Sequence, residues 1–239
     1  DDDALAVLSI DGEIKAFKAL NGELLWKLKT PVPVLTLRGT ATPIVEKGIV
    51  YLGLSDGKFS AFNLLTSELL WQYTIGLPTG SSEIERIVDI LGQPVIQPQV
   101  VYIGSYQGRL MALDKATGRP RWAKDTSSYT SPGYGFGKVY STSEEGTLSA
   151  VNEYNGKTEW EKTVLYRREL TSPRAWSSYV AVADFEGYVH LFAQADGRMV
   201  ARIKTDGDGV RADMLVYKDM LLVYGNSGDL YAVRIKESN

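Results

Sequence analysis

Few side chains in this sequence could carry covalent or metal chemistry. The 239 residues include no cysteine and one histidine, so disulfides, thiolate metal sites and thiol nucleophiles are excluded within the chain. The histidine, His190, lies inside the alternating run 188–192, where an ordinary strand residue is the expected role. A single histidine cannot assemble a catalytic triad or a multi-histidine metal site.

Neither the acidic motif at residues 206–209 nor the overall charge predicts binding of a metal ion or of nucleic acid. Asp206-Gly207-Asp208-Gly209 begins like a calcium loop but lacks the further carboxylates that complete an EF-hand, so we interpret it as a turn. The net charge is −3, from 26 basic and 29 acidic residues, and no Lys/Arg-rich stripe is present to neutralise phosphates. We therefore expect no catalytic residue, no metal, no cofactor and no nucleic-acid partner.

The strongest signal in the sequence is an internal repeat. Its clearest copy, residues 48–75, has an apolar run, a turn ending in Gly57, alternation to Ala61, a second turn and then Trp71. Period-two alternation between glycine-containing turns indicates antiparallel strands and not helices. In four copies the alanine follows the glycine by four residues and the tryptophan follows the alanine by ten: Gly12, Ala16 and Trp26; Gly57, Ala61 and Trp71; Gly108, Ala112 and Trp122; Gly146, Ala150 and Trp160.

Two further copies are less complete. The fifth has Leu191 and Ala201 at the alanine and tryptophan positions, and the sixth keeps Gly228 and Ala232. The first-turn glycines recur every 38 to 51 residues, a period that suits one four-stranded propeller blade. We therefore predict an all-β fold, a β-propeller of four-stranded antiparallel blades, with about five to six blades in this chain. The tryptophan of each outermost strand is expected to pack on the next blade.

Two connections between copies, residues 27–47 and 72–98, are longer than the repeat requires. Insertions in propellers fall in loops at the faces of the ring, where function is usually placed. In the first, Leu35 and Leu37 project to the same side of an extended segment, and Arg38 offers a forked donor. These three residues suit an anchor for a partner protein. The alternative is that both leucines are inward-facing strand residues.

The second long connection contains Glu83, Arg86 and Asp89. These residues are candidates for the polar part of the same partner contact. The alternative is a solvated loop held by local ion pairs.

The repeat, with its tryptophan at a fixed position, resembles the pyrroloquinoline-quinone-type propeller repeat. Segments 35–39, 79–86, 170–173 and 186–188 further resemble the BamB family, lipoproteins of the machinery that inserts β-barrel proteins into the bacterial outer membrane. The resemblance covers essentially the whole chain and aligns it with the later blades of an eight-bladed ring. It implies one propeller domain over residues 1–239 that lacks the N-terminal blades of the parent protein. It also implies a non-enzymatic scaffold at the periplasmic face of the outer membrane, with a lipid anchor ahead of the chain.

In that family the ring binds the periplasmic POTRA domains of the barrel-forming subunit BamA. The resemblance assigns the contact to Leu35, Leu37 and Arg38, and to the loop that holds Glu83, Arg86 and Asp89. A second acidic position of the family falls on Leu91 here, which departs from the pattern. Unfolded outer-membrane protein clients, paired to sheet edges by β-augmentation, stay open as further partners.

The rival interpretation is a quinone-dependent dehydrogenase, because such enzymes use the same repeat. They hold a quinone and Ca²⁺ in the central channel and typically have a vicinal cysteine pair beside the quinone. The absence of cysteine from this sequence argues against that function.

Overall fold

The computed structural model describes residues 4–37, 39, 41–79 and 81–235. All regular elements in these ranges are β-strands, and they form six antiparallel sheets whose strands follow one another in chain order. Four sheets have four strands, and the first and sixth have three described strands. The predicted fold class, an all-β propeller of four-stranded antiparallel blades, is confirmed.

The first compact unit, residues 1–131, contains three sheets. The first sheet comprises β1 (Ala4–Leu8), β2 (Glu13–Lys18) and β3 (Leu24–Lys29). The second comprises β4 (Ile44–Glu46), β5 (Ile49–Gly53), β6 (Lys58–Asn63) and β7 (Leu69–Thr74). The third comprises β8 (Val95–Ile96), β9 (Val100–Gly104), β10 (Gly108–Asp114) and β11 (Pro120–Thr126).

The second compact unit, residues 132–239, contains the other three sheets. The fourth sheet comprises β12 (Gly133–Gly135), β13 (Lys138–Thr142), β14 (Leu148–Asn152) and β15 (Thr158–Lys162). The fifth comprises β16 (Arg174–Trp176), β17 (Tyr179–Ala183), β18 (Tyr188–Ala193) and β19 (Met199–Lys204). The sixth comprises β20 (Leu215–Tyr217), β21 (Met220–Tyr224) and β22 (Leu230–Arg234).

The alanine–tryptophan spacing of the repeat is a cross-strand pair. Ala61 on β6 lies opposite Trp71 on β7, and Ala16, Ala112 and Ala150 pair with their tryptophans in the same way. In all four sheets the register shifts directly after the alanine. Such a bulge adds one residue to the outer strand and increases its local twist, so a constant sequence spacing gives a constant blade shape.

The buried alanines also make room for aromatic contacts. Tyr51 on β5 lies opposite Ala61 on its other side, so a tyrosine, an alanine and a tryptophan form one row across the second sheet. The rings of Tyr51 and Trp71 are 6.0 Å apart, within the range of favourable tilted aromatic pairs. The third and fourth sheets repeat the row, with ring separations of 5.9 Å and 5.8 Å.

The indoles of three of the repeat tryptophans link one sheet to the next. Trp26 donates its Nε1–H to the main-chain oxygen of Leu64 at 2.7 Å, and Trp71 donates to that of Lys115 at 3.0 Å. Trp160 makes the same bond to Gln194 at 3.1 Å. For Trp26, Trp71 and Trp160 these bonds confirm the prediction that the tryptophan packs across onto the next blade.

Two second-turn glycines, Gly118 and Gly197, are required by the same contact. A Cβ atom on Gly118 would lie 2.6 Å from the ring of Trp71, closer than atoms tolerate. The glycine therefore lets the indole lie directly on the neighbouring sheet.

Trp71→Ala is predicted to lower the free energy of unfolding by about 3–5 kcal/mol, because it removes a buried aromatic ring and leaves a cavity. Leu70→Ala is the matched control, since Leu70 is the neighbouring residue and its side chain is 44% exposed; its effect should stay below about 1 kcal/mol. Urea unfolding followed by far-UV circular dichroism measures both. Equal midpoints for the two variants would contradict the docking role.

Candidate functional site

The two long connections lie at the same end of the strands in the first unit. Residues 30–43 join β3 to β4, and residues 75–94 join β7 to β8. The first residue of each loop makes the same hydrogen bond to the main-chain oxygen of a first-turn glycine. Thr30 N–H donates to Gly12 O at 2.8 Å, and Ile75 N–H donates to Gly57 O at 2.8 Å. The repeat that builds the blades therefore also fixes where both loops begin.

A buried carboxylate connects the two loops. Asp89, from the second loop, is fully buried, and its Oδ2 accepts a hydrogen bond from the Leu37 N–H of the first loop at 2.5 Å. Its main-chain oxygen accepts a further bond from Tyr106 N–H at 2.8 Å. Among the described residues Asp89 Oδ1 has no hydrogen-bond partner. Burial raises the pKa of Asp89, and the bond from Leu37 opposes that rise.

Leu91 holds the first loop at a second point. A Cβ atom on Gly39 would lie 2.8 Å from Cδ2 of Leu91, so the leucine packs directly on the main chain of Gly39. Leu91, where the sequence departs from the pattern that the resemblance implies, therefore makes an apolar contact within the chain's own loops.

The first loop exposes its apolar side chains. Leu35 is 43% exposed and Leu37 is 38% exposed, and neither lies in a strand. Their arrangement is therefore not that of inward-facing strand residues, the alternative that the sequence left open. Val34 is 97% exposed in the same loop, and Leu77 and Ile84 are exposed in the second. Sequence reasoning did not select these three residues, because they are single apolar residues outside any periodic pattern.

Three of the predicted site residues line one groove. A cavity of about 210 Å³ separates the two loops and contains Leu35 on one side and Glu83 and Arg86 on the other. Val34 and Pro33 extend its apolar side. The groove therefore combines apolar and charged side chains, a mixture typical of the edge of a protein–protein contact.

The polar side of the groove belongs to an ordered turn. Glu83 and Arg86 form a loose ion pair, with 3.8 Å between Oε1 and Nη1. Between them, Glu85 accepts hydrogen bonds from the N–H groups of Ser81 and Ser82, at 2.7 Å and 3.1 Å. These bonds lower the pKa of the Glu85 carboxyl group. The expected solvated loop with a local ion pair is thus present, and its charged side chains also face the groove.

The structure places five of the six predicted site residues, in three different situations. Leu35, Glu83 and Arg86 line the groove, whereas Leu37 is half-exposed and tied to the buried Asp89. Arg38 lies outside the described residues. Asp89 holds the main chain of the first loop and is not itself exposed, because its side chain has no accessible surface.

The other residues singled out from the sequence have structural surroundings. His190 is buried on β18, and its Nε2 lies 2.7 Å from Asp184 Oδ2. Burial would raise the pKa of Asp184, but hydrogen bonds from His190, Tyr188 and Arg168 lower it to about 2. Residues 206–209 form a bend between β19 and β20.

The described ranges contain neither a cluster of metal ligands nor a membrane-spanning helix. No three His, Asp or Glu side chains there are grouped so as to hold a metal ion. The same ranges contain no helix with the length and apolar character needed to cross a bilayer.

The tryptophan-docked, four-stranded sheets define a β-propeller of the pyrroloquinoline-quinone repeat type. The family model described as outer membrane protein assembly factor BamB matches residues 1–162. The chain belongs to this family.

Relatives with the name outer membrane protein assembly factor BamB match most of the chain. The protein from Pseudomonas aeruginosa is 38% identical over 208 residues, which cover 87% of this chain and 55% of the relative. That from Bordetella pertussis is 36% identical over 231 residues, covering 96% and 60% respectively. The chain thus spans somewhat more than half the length of these relatives.

Solved structures agree with the fold. The crystal structure of BamB from Moraxella catarrhalis superposes with a TM-score of 0.92 at 29% identity, covering 98% of this chain and 70% of that one. The quinohemoprotein alcohol dehydrogenase from Comamonas testosteroni has a TM-score of 0.68 at 14% identity, covering 97% and 44% respectively. The dehydrogenase likeness is one of fold alone.

Asp89→Ala is predicted to loosen the first loop, because Leu37 N–H loses its acceptor. Loss of one hydrogen bond to a charged group, about 1.5–3 kcal/mol, corresponds to roughly tenfold or more faster amide exchange at Leu37. Asp89→Asn is the control, since the amide oxygen still accepts the bond. Hydrogen exchange resolved by NMR distinguishes them, and equal protection of Leu37 in both variants would refute the tether.

The raised pKa of Asp89 predicts a pH dependence of stability. Because the folded-state pKa lies above the unfolded value of about 3.9, the folded protein holds this proton more tightly, and stability from Asp89 falls as pH rises through that interval. Asp89→Asn should remove this fall. Unfolding free energies at pH 4 and pH 7 measure it. A stability difference between variant and wild type that is the same at both pH values would contradict the prediction.

Proposed function

We propose that this chain belongs to a non-enzymatic scaffold subunit of the outer-membrane β-barrel assembly complex, and that it binds the periplasmic POTRA domains of BamA. The carrying observation is the exposed leucine loop, Leu35 and Leu37, held in place by the buried Asp89 of the neighbouring loop. Membership of the BamB family and the naming of its relatives as assembly factors support the biological setting.

Pre-organisation is the physical reason to assign binding to these loops. An exposed leucine on a mobile loop loses conformational entropy when a partner immobilises it, and this cost weakens binding. Here Asp89 fixes the main chain of Leu37, and Leu91 packs on Gly39. Leu37 is therefore already placed before a partner arrives, which favours its use as an anchor.

The groove supplies a polar border for that anchor. Leu35 lies opposite Glu83 and Arg86, and Arg38 follows Leu37 directly in sequence. Exposed charges around an apolar centre guide the approach and register of a partner more than they add affinity. In this proposal Leu35, Leu37 and Arg38 carry most of the binding energy, Glu83 and Arg86 set orientation, and Asp89 is a positioning residue.

The relatives' role in outer-membrane protein assembly associates the family with the outer membrane. We propose that the parent protein acts at the periplasmic face and is held there by a lipid anchor. Unfolded outer-membrane proteins are proposed as transient clients that pair with exposed sheet edges.

Leu37→Asp is predicted to weaken binding of a purified BamA POTRA fragment by about 1–3 kcal/mol, or roughly 5- to 150-fold in Kd, because it places a charge where an apolar anchor is desolvated. Arg38→Glu should have a similar effect. Leu65→Asp is the matched control: Leu65 is 67% exposed, but it lies in the β6–β7 turn at the other end of the strands. Calorimetric titration measures all three.

Affinity that is unchanged in Leu37→Asp and Arg38→Glu would show that the partner binds another surface. A loss of the same size in Leu65→Asp would show that the effect is not specific to the loop. Thermal midpoints near that of the wild type are expected for Leu37→Asp and Leu65→Asp, since each replaces an exposed side chain.

A further inference from the structure

The fifth sheet has an alanine at the tryptophan position of the repeat. Ala201 on β19 pairs with Leu191 on β18, as Trp71 pairs with Ala61 in the second sheet. The register shift that follows the alanine in the other sheets occurs here directly after Leu191. The main chain therefore keeps the geometry of the repeat, and only the side chains at the docking position differ.

An open cleft of about 240 Å³ lies at this position, between the fifth and sixth sheets. Its lining from the fifth sheet stands at the repeat positions of residues in the core cluster of Trp71. These lining residues are Tyr179, Leu191, Ala201 and Ile203, at the positions of Ile49, Ala61, Trp71 and Tyr73. Except for Leu191 they are half-buried, so a ligand can reach their side chains.

Other side chains of the fifth sheet fill only part of the space. Ala181 stands at the position of Tyr51, so the second aromatic ring of the row is also missing. In compensation, Leu191 is larger than the usual alanine, and Trp176 on β16 stands at the position of Glu46. Trp176 is buried and lines the cleft. The cleft is the part of the docking space that these two side chains leave open.

The sixth sheet keeps the position that accepts a docked indole. The three acceptors elsewhere each follow the first-turn glycine of their own sheet by seven residues; they are Leu64, Lys115 and Gln194, after Gly57, Gly108 and Gly187. In the sixth sheet this position is Ile235, seven residues after Gly228. Ile235 lines the cleft together with Val233, which stands at the position of Leu113. The cleft thus combines apolar walls with the main-chain position that the repeat uses to accept an indole N–H.

We propose that this cleft binds the indole side chain of a tryptophan in an extended segment of a partner polypeptide, with the indole N–H donating to the main-chain oxygen of Ile235. The protein itself indicates the occupant, because the equivalent acceptor positions bind the indoles of Trp26, Trp71 and Trp160. Tyr179 and Trp176 add aromatic surface, which favours a ring over an aliphatic side chain.

Unfolded outer-membrane proteins are a source of such segments, because the strands of their barrels carry girdles of aromatic residues. Naming these clients as the partner rests on the function proposed above, whereas the preference for an indole does not. The cleft belongs to the second unit, and the loops assigned to the POTRA contact belong to the first. The two sites can therefore be tested separately.

NMR titration of the full chain with acetyl-Ala-Ala-Trp-Ala-Ala-amide tests the site. One matched peptide carries 1-methyltryptophan, which keeps the ring and lacks the N–H donor, and the other carries leucine. The tryptophan peptide should bind roughly fivefold or more tightly than either, because the first loses a hydrogen bond and the second loses the ring contacts. Intermolecular NOEs should connect its indole protons to the methyl groups of Ala201 and Val233.

Leu191→Ala combined with Ala201→Trp rebuilds the alanine–tryptophan pair of the other sheets. The attached indole should fill the cleft, so the tryptophan peptide should bind about tenfold or more weakly while the thermal midpoint does not fall. Val164→Trp is the matched control, because Val164 is 65% exposed in the turn after β15 and does not line the cleft. This variant should leave the affinity within about twofold.

The proposal is overturned if either matched peptide binds the wild-type protein as tightly as the tryptophan peptide does, or if the NOEs place the indole elsewhere. These two results need no variant. Unchanged affinity in the folded double variant would also overturn it. Loss of POTRA binding in Leu37→Asp is independent of all these outcomes.

Discussion

The contact on which the rest of the structure depends is the bond from a tryptophan indole to the main chain of the next sheet. It is made by Trp26, Trp71 and Trp160, each on the outermost strand of its sheet. The bond is directional and the ring is large, so it fixes both the distance and the orientation of adjacent sheets. Without it, a four-stranded meander would have a partly unburied outer face and few constraints on its neighbours.

This contact also determines where function can be placed. The loops that follow β3 and β7 start from fixed positions, because the oxygens of the first-turn glycines Gly12 and Gly57 accept their first N–H groups. Two such loops from adjacent sheets reach each other, and the buried Asp89 carboxylate joins them. The exposed leucines therefore rest on a rigid base, although they lie outside regular structure.

The strands and turns of the repeat could be predicted from the sequence because their spacing is set by contacts between adjacent strands of one sheet. The ten-residue spacing from Ala61 to Trp71 becomes a cross-strand pair followed by a bulge, and the same is true of three other copies. The sequence does not determine whether Leu35 and Leu37 are exposed, since alternation alone does not tell which side of a segment faces solvent. The groove that unites Leu35 with Glu83 and Arg86 depends on the folded path of two loops.

Other features depend on residues far apart in the chain and have no signature in the sequence. From its sequence neighbours Asp89 is expected to be an exposed acidic residue of a loop. In the structure it is buried and accepts a hydrogen bond from Leu37 of the other loop. The Tyr140 hydroxyl donates to Gln194 Oε1 of the following sheet at 2.8 Å. The equivalent hydroxyl of Tyr51 has no partner among the described residues, because Lys115 stands at the position of Gln194 and pairs with Glu46. A fixed repeat position therefore acquires a new property through a substitution in its neighbour. Such differences between copies mark positions at which the repeat does not follow its usual packing pattern.

The central claim is that the loops at one end of the first unit, and no reactive centre, carry the function. Hydrogen–deuterium exchange of the protein with and without the POTRA domains of BamA tests it most directly. The account predicts slower exchange in segments 33–39 and 77–91 upon binding, with segments 46–49 and 114–121 unchanged. Protection confined to the latter segments, or saturating POTRA binding without protection of either loop, would contradict it.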